Sequence, residues 1–289
     1  MLGGIHHLVM SQLQIAKRHP LKPAFGVLDF GTALAHFWQR RGLLWHMTVR
    51  HLRSQYKQSI LGYAWAILNP LSLMLILSFV FSTILRIPSQ GIPYPLFLLV
   101  ALLPWIFFSS ALSSATDSVV GASSLVTKVY FPREVLPIAA VFTKIVDLVF
   151  GLMILGCLMV YFGHPPEWTS VWFPVLFFIH LLFTLGLALP LAALNLFFHD
   201  VRFLVGVALT MWFYLTPVIY PLDLVPERYR MIFDLNPNSL FINAYRRVIL
   251  EGVSPGLDRL LLGLGISLLT LLVGYYLFKR MEPAFADRI

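Results

Sequence analysis

The sequence predicts an all-α integral membrane protein. Three observations lead to this fold class: long apolar stretches recur along the chain, charged residues are scarce, and a short charged segment separates two of the apolar stretches. Of the 289 residues, 58% are hydrophobic and 12% are charged, and the mean hydropathy is +0.80. Soluble domains carry about 25% charged residues. This composition therefore excludes a soluble globular domain and a disordered chain.

Six stretches are predicted to be membrane spans, because about 20 apolar residues are needed to cross the hydrocarbon core. They are Tyr63–Leu85, Tyr94–Ala115, Leu136–Phe162, Val171–Phe198, Phe203–Tyr220 and Leu260–Lys279. We therefore expect a six-span transmembrane domain over residues 58–289, preceded by an N-terminal arm of residues 1–57. An even number of spans places both termini on the same side of the membrane.

The basic residues predict which side that is. Most Lys and Arg residues lie in the N-terminal arm, between spans two and three, and in the C-terminal tail. Cytoplasmic segments are enriched in these residues, so both termini are expected in the cytoplasm. The net charge of +8 is explained in the same way, without nucleic acid as a partner. Arg228–Arg259 is the exception, since it is basic for an external segment.

The N-terminal arm is expected to be cytosolic. Met1–Pro23 lacks the apolar central region of a signal peptide and should be retained. Gly31–Lys57 mixes large apolar residues with basic ones, which favours an amphipathic helix lying in the headgroup region of the membrane. A helix packed on a partner would show the same mixture.

Between spans five and six, Pro221–Leu257 holds two helical patterns that are too short to cross a membrane and are interrupted by prolines. Such a segment is either an external loop or a pair of short helices that dip into the membrane. Re-entry requires that protein or water satisfies the exposed backbone.

The sequence predicts no catalytic site. It lacks the Gly-rich phosphate loop of ATPases and a nucleophile elbow. Its single cysteine, Cys157, and its scattered histidines do not form metal-ligand spacings, so no metal site is expected. We therefore expect a protein that is not itself an enzyme.

Two features within the spans have alternative interpretations. Lys144 and Asp147 share one helix face. They form either a structural ion pair or a proton relay. The small residues of Ser109–Ala115 allow close helix approach, within one chain or between two copies.

Several short motifs resemble the permease subunits of type-2 ABC exporters that move surface polysaccharides such as O-antigen, capsule and teichoic acid. The resemblance runs from about Arg40 to the C-terminus, in the family's order. The matching stretches are Tyr56–Pro70, Tyr94–Leu99, Leu103–Trp105, Lys128–Pro137, Phe198–Arg202, Thr216–Tyr220 and Leu235–Pro237. The N-terminal thirty-odd residues are longer than the family's usual arm.

The resemblance implies a homodimer in the bacterial inner membrane with two copies of a separate ABC ATPase, which would bind ATP and Mg²⁺; this chain would hold no cofactor. Val119–Glu134 would carry the main coupling helix, His199–Arg202 would form a second contact, and Leu222–Leu250 would match the external gate helices. The predicted coupling residues are Val126, Lys128, Val129, Tyr130, Phe131, Pro132, Arg133, Glu134, His199, Asp200 and Arg202.

The function implied is ATP-driven export of a lipid-linked polysaccharide. Arg50, Arg53 and Lys57 are candidates to attract its phosphorylated head group from among the membrane lipids. Aromatic side chains are expected either in interfacial belts or along the path of the sugar chain. The path candidates are Tyr63, Trp65, Trp105, Phe108, Trp212 and Tyr220. Alternatives are an ABC exporter of a small drug or lipid, a proton-coupled carrier and an integral membrane enzyme.

Overall fold

The computed structural model describes residues 41–56, 62–89, 91–123 and 131–285, and every regular element in these ranges is helical. Most of the predicted N-terminal arm lies outside the described residues. So do Lys57, Val126, Lys128, Val129 and Tyr130. The described residues from Gly42 onward belong to one compact unit.

The α-helices of the described part are numbered in chain order. They are α1 (Arg41–Tyr56), α2 (Ala64–Ser78), α3 (Tyr94–Gly121), α4 (Val135–Tyr161), α5 (Phe173–Phe197), α6 (Val201–Tyr214), α7 (Glu227–Asp234), α8 (Pro237–Ile249) and α9 (Leu257–Met281). A π-helix, Phe79–Ile84, continues α2, and 3₁₀ turns are formed by Trp168–Trp172, Leu222–Leu224 and Glu282–Phe285.

Five helices of the described part are long enough and apolar enough to cross a membrane. They are Ala64–Ile84, Tyr94–Gly121, Val135–Tyr161, Trp168–Phe197 and Leu257–Phe285. These correspond to predicted spans one to four and six. The protein is therefore a multi-pass membrane protein.

The predicted fifth span, Phe203–Tyr220, does not form a full-length helix. Helix α6 has 14 residues, which rise about 21 Å at 1.5 Å per residue, whereas the hydrocarbon core is about 30 Å thick. The helix ends before Pro217, which has no N–H to continue it. The carbonyls of Pro217 and Val218 instead accept hydrogen bonds from Arg246.

Helix α3 lies at the centre of the bundle, where it contacts α2, α4, α5, α6 and α8. Leu96–Leu103 are each at most 3% exposed, as expected of a helix that is apolar on all sides. Helices α2 and α9 lie at the periphery and present many exposed apolar side chains. Such faces suit lipid or another subunit.

Two glycines allow α9 to pack directly against the backbone of α5. A Cβ at Gly274 would overlap the carbonyl oxygen of Gly186, and a Cβ at Gly186 would lie 2.6 Å from the backbone nitrogen of Leu271. Pro190 cannot donate a hydrogen bond to the Gly186 carbonyl, so this oxygen is directed at α9. Close approach through small residues is a common way to join helices in membranes.

Candidate functional site

The segment that the resemblance assigns to ATPase coupling ends in a cluster of charged side chains. Lys279 Nζ donates to Glu134 Oε2 and to Glu282 Oε2, both at 2.9 Å. Arg133 Nη1 donates to the backbone carbonyl of Glu282 at 2.6 Å, and the Arg133 backbone N–H reaches Glu282 Oε1 at 3.4 Å. The start of α4 is thereby joined to the end of α9.

An apolar core lies beside this charged cluster. Phe285 is fully buried and packs edge-to-face on Phe278 at 5.5 Å and on Phe197 at 6.0 Å between ring centroids. Phe131 is half-buried against the same core, and Pro132 is half-buried beside it. The predicted coupling residues that the structure describes in this segment, Phe131–Glu134, are therefore engaged within the chain.

The second predicted contact, on the link between α5 and α6, is braced by Asn195. The Asn195 side chain is 1% exposed. Its Nδ2 donates to the carbonyl of Thr116 at 3.0 Å and to Asp117 Oδ1 at 3.2 Å, and its Oδ1 accepts from the Arg202 backbone N–H at 3.2 Å. The C-terminal part of α3 is thus fixed to the link. Phe198, His199 and Asp200 of the link are exposed, and so is Arg202 in the first turn of α6.

Replacing Asn195 with alanine is expected to destabilise the protein by about 1–2 kcal/mol, because the Thr116 carbonyl and the Arg202 N–H lose their partner near the bundle interior. The thermal midpoint in detergent measures this loss. Thr210→Ala is the matched control, since the exposed Thr210 hydroxyl bonds only to Gly206 of its own helix. Equal midpoints for the two variants would contradict the role of Asn195 as a brace.

At the other end of α3, a buried arginine organises the backbone that follows α6. Arg246 of α8 is 4% exposed. Its Nη1 donates to the Pro217 carbonyl and its Nη2 to the Val218 carbonyl, both at 2.6 Å. Longer bonds of 3.4 Å reach the carbonyls of Tyr220 and Phe97. The guanidinium carbon also lies 3.7 Å from the centroid of the Phe97 ring.

Two further motif residues fix the same region. The Tyr94 hydroxyl donates to the Ile219 carbonyl at 2.6 Å. Asn236 caps α8 by accepting from the Asn238 N–H at 3.0 Å, and it accepts from Trp212 Nε1 at 2.8 Å. Its Nδ2 donates to the Leu215 carbonyl at 2.9 Å. Three of the stretches that carry the resemblance therefore meet in one hydrogen-bonded region between α3, α6 and α8.

The aromatic candidates for a sugar path divide into buried and exposed residues. Phe108 has no exposed surface and stacks on Phe183 at 5.9 Å, and Trp105 is 6% exposed. In this conformation neither ring is available to stack on a sugar. Trp212 and Tyr220 are half-buried, whereas Tyr63 and Trp65 are 46% and 52% exposed.

A half-open cavity of about 290 Å³ lies between α1, α2, α3 and α4. The predicted ion pair lines it, with Lys144 Nζ 3.6 Å from Asp147 Oδ2 and 2.8 Å from Gln55 Oε1 of α1. Trp65 and Asn69 also line the cavity. The ion pair is thus confirmed, and Lys144 in addition fastens α1 to the bundle.

Helix α1 packs on its own chain through one face. Its His51 Nε2 lies 3.2 Å from Ser114 Oγ of α3. Burial and the nearby charges of Lys144 and Arg50 lower the pKa of His51 below its ordinary value of 6.5, so the ring is neutral at pH 7. Arg50 and Arg53 are exposed. These two basic side chains are therefore accessible on the outer surface of the helix.

Comparison with known proteins agrees with this arrangement. The family described as ABC-2 type transporter matches residues 42–250. The chain is 35% identical over 255 residues to the O-antigen export system permease protein RfbA of Myxococcus xanthus, covering 87% of this chain and 97% of that protein. It is 30% identical over 246 residues to the protein of the same name from Klebsiella pneumoniae, covering 85% and 94%.

A protein named for polysialic acid transport is also similar. The polysialic acid transport protein KpsM of Escherichia coli is 25% identical over 246 residues, covering 82% of this chain and 92% of that protein. Membership of the family implies a separate ABC ATPase as partner. The family model matches most of the chain, and the described residues contain five membrane-length helices; this chain belongs to the ABC-2 type transporter family of membrane permeases.

Proposed function

We propose that this chain is the permease subunit of an ATP-driven exporter of a lipid-linked polysaccharide of the O-antigen or capsule type. The observation that carries the proposal is the near full-length similarity to two permeases that are named for O-antigen export. Similarity to a polysialic acid transport protein supports the broader class of acidic or neutral surface polymers.

In this proposal the subunit works as a homodimer in the bacterial inner membrane, with both termini in the cytoplasm. Two copies of the ABC ATPase bind beneath it and hold the ATP and Mg²⁺. The apolar outer faces of α2 and α6 are suited to contact a second copy or lipid, since both carry many exposed large side chains. In this proposal α6 and the turn after it form the fifth of the six crossings.

ATPase contact is assigned to the segment that precedes Phe131 and to the link His199–Arg202. The exposed side chains of the link support this assignment. Helices α7 and α8 form the external gate, and α8 dips into the bundle, where its inward face is buried against α3 and α5. A re-entrant helix is tolerated at membrane depth when protein satisfies its polar groups.

The lipid head group is attracted by the exposed cations Arg50 and Arg53, together with Lys57. A polybasic patch gains about 1 kcal/mol per Lys or Arg near an anionic membrane surface. The sugar chain then passes the exposed rings of Tyr63 and Trp65 and the half-buried rings of Trp212 and Tyr220. Trp105 and Phe108 do not contact the sugar chain; they pack in the interior, behind the residues that do.

Deleting the gene is expected to leave the polymer inside the cell, attached to its lipid carrier, while export of small drugs is unchanged. The purified complex with its ATPase should hydrolyse ATP faster when the extracted lipid-linked polymer is added. The control is the same polymer released from its lipid. The proposed function would be refuted if the deletion strain had normal surface polymer and the polymer did not stimulate ATP hydrolysis by the purified complex. The alternative would then be an exporter of a small drug or lipid.

A further inference from the structure

The segment Lys279–Phe285 closes onto the start of α4 through both ionic and apolar contacts; we call it the C-terminal clasp. Lys279 stands between two carboxylates, and its side chain is 34% exposed against 16% for Glu134 and 22% for Glu282. Arg133 lies 5.6 Å from the Phe285 ring centroid, so its guanidinium covers the buried ring while it bonds to the Glu282 carbonyl.

The contacts of the clasp differ from those of an ordinary surface ion pair. Isolated exposed pairs contribute little, but a network with shared partners and a hydrogen bond to backbone holds one geometry. The buried Phe285 ring adds an apolar anchor at the same place. Two independent kinds of contact therefore fix α9 to the residues Arg133 and Glu134.

The position of the clasp in the fold gives it a mechanical role. Helix α9 otherwise packs chiefly on α5, through the Gly186–Gly274 crossing. Arg133 and Glu134 directly follow the segment that the proposed function assigns to the ATPase. Any displacement of that segment would thus reach α9 through Lys279 and Glu282, and reach α4 through the chain itself.

We propose that the C-terminal clasp is a positioning element which transmits movement of the coupling segment to α9. Arg133 and Glu134 then act inside the permease, through Lys279 and Glu282, and do not contact the ATPase surface. The inference rests on the proposed function for its driving partner, but it does not depend on which molecule is exported.

The test is a double-mutant cycle in the permease–ATPase complex with Glu134→Gln, Lys279→Gln and both together. Each single change is expected to raise the ATP hydrolysed per polymer exported by about two- to fivefold, the range set by a partly exposed ion pair. The double variant should be no worse than Lys279→Gln alone, because that change already removes the contact with Glu134. Lys279→Arg, which keeps the charge, should restore coupling.

Arg280→Gln is the matched control, since Arg280 is exposed on the same turn and bonds only weakly to Tyr276 at 3.5 Å. It should behave as wild type. If the effects of the two single changes multiply in the double variant, Glu134 and Lys279 act independently, and the proposal is overturned.

A second measurement does not require the exported molecule. In the wild-type complex, trapping the ATPase with bound ATP should change deuterium uptake in the peptide covering residues 275–285. In the Glu134→Gln and Lys279→Gln variants that change should disappear, while Arg280→Gln keeps it. If the complex does not export polymer but shows this pattern of deuterium uptake, the role of the clasp is supported and the proposed substrate is wrong. If Glu134→Gln and Lys279→Gln show the same change in deuterium uptake as the wild-type complex, the proposed role of the clasp is overturned.

Discussion

Replacing Arg246 with methionine is expected to destabilise the permease by about 3 kcal/mol or more, because buried backbone acceptors each lose about 1–3 kcal/mol when left without a donor. The guanidinium bonds to carbonyls of Pro217, Val218 and Tyr220 at once. Methionine keeps the apolar stem of the side chain but has no group that can donate a hydrogen bond. The backbone after α6 should therefore no longer be held in one conformation, and α8 should lose its contact with that backbone.

Arg246→Lys is expected to be nearly as unstable as the methionine variant, since a single ammonium group cannot reproduce the planar set of donors. Arg247→Met is the matched control on the neighbouring position, which is only half-buried. Thermal midpoints in detergent and protease resistance of residues 215–250 report the effect. A methionine variant as stable as the Arg247→Met control would show that the 217–220 turn is held by something else.

Gly274→Ala is expected to destabilise the protein although alanine favours helices. The new Cβ meets the Gly186 carbonyl, which is backbone and cannot swing away. Overpacking of this kind costs about 1–3 kcal/mol, and a rigid neighbour places it at the upper end. Helix α9 should separate from α5, and export should fall with it.

The control for this variant is expected to change the stability of the protein in the opposite direction. Gly265 also lies in α9, but a Cβ there would meet nothing within 4 Å. Gly265→Ala should therefore stabilise the helix, by about 0.5–1 kcal/mol. Comparing the two thermal midpoints separates crowding from helix propensity. A midpoint raised by both substitutions would exclude the close crossing.

The membrane-length helices could be predicted from sequence because an apolar run of about 20 residues is a local property. The short helices α7 and α8 were also indicated by their proline boundaries. The path of the backbone after α6 was not predictable in the same way. It depends on Arg246, which lies 29 residues after Pro217 in the chain.

Arg246 belongs to the basic segment Arg228–Arg259, and its basic character alone did not indicate that its side chain is only 4% exposed. A helical projection contains the missing signal. Ile242, Tyr245 and Ile249 lie on the face that holds Arg246, and all three are buried. The clasp gave no comparable signal, because Glu134 and Lys279 are 145 residues apart.

The central position of α3 limits where any large molecule could cross. Its side chains, with Trp105 and Phe108 among them, are buried in the middle of the described bundle, and buried side chains in proteins leave few gaps. A glycan strand is far wider than the gaps that such packing leaves. Under the proposed function, the polymer would therefore pass along the outside of the described bundle.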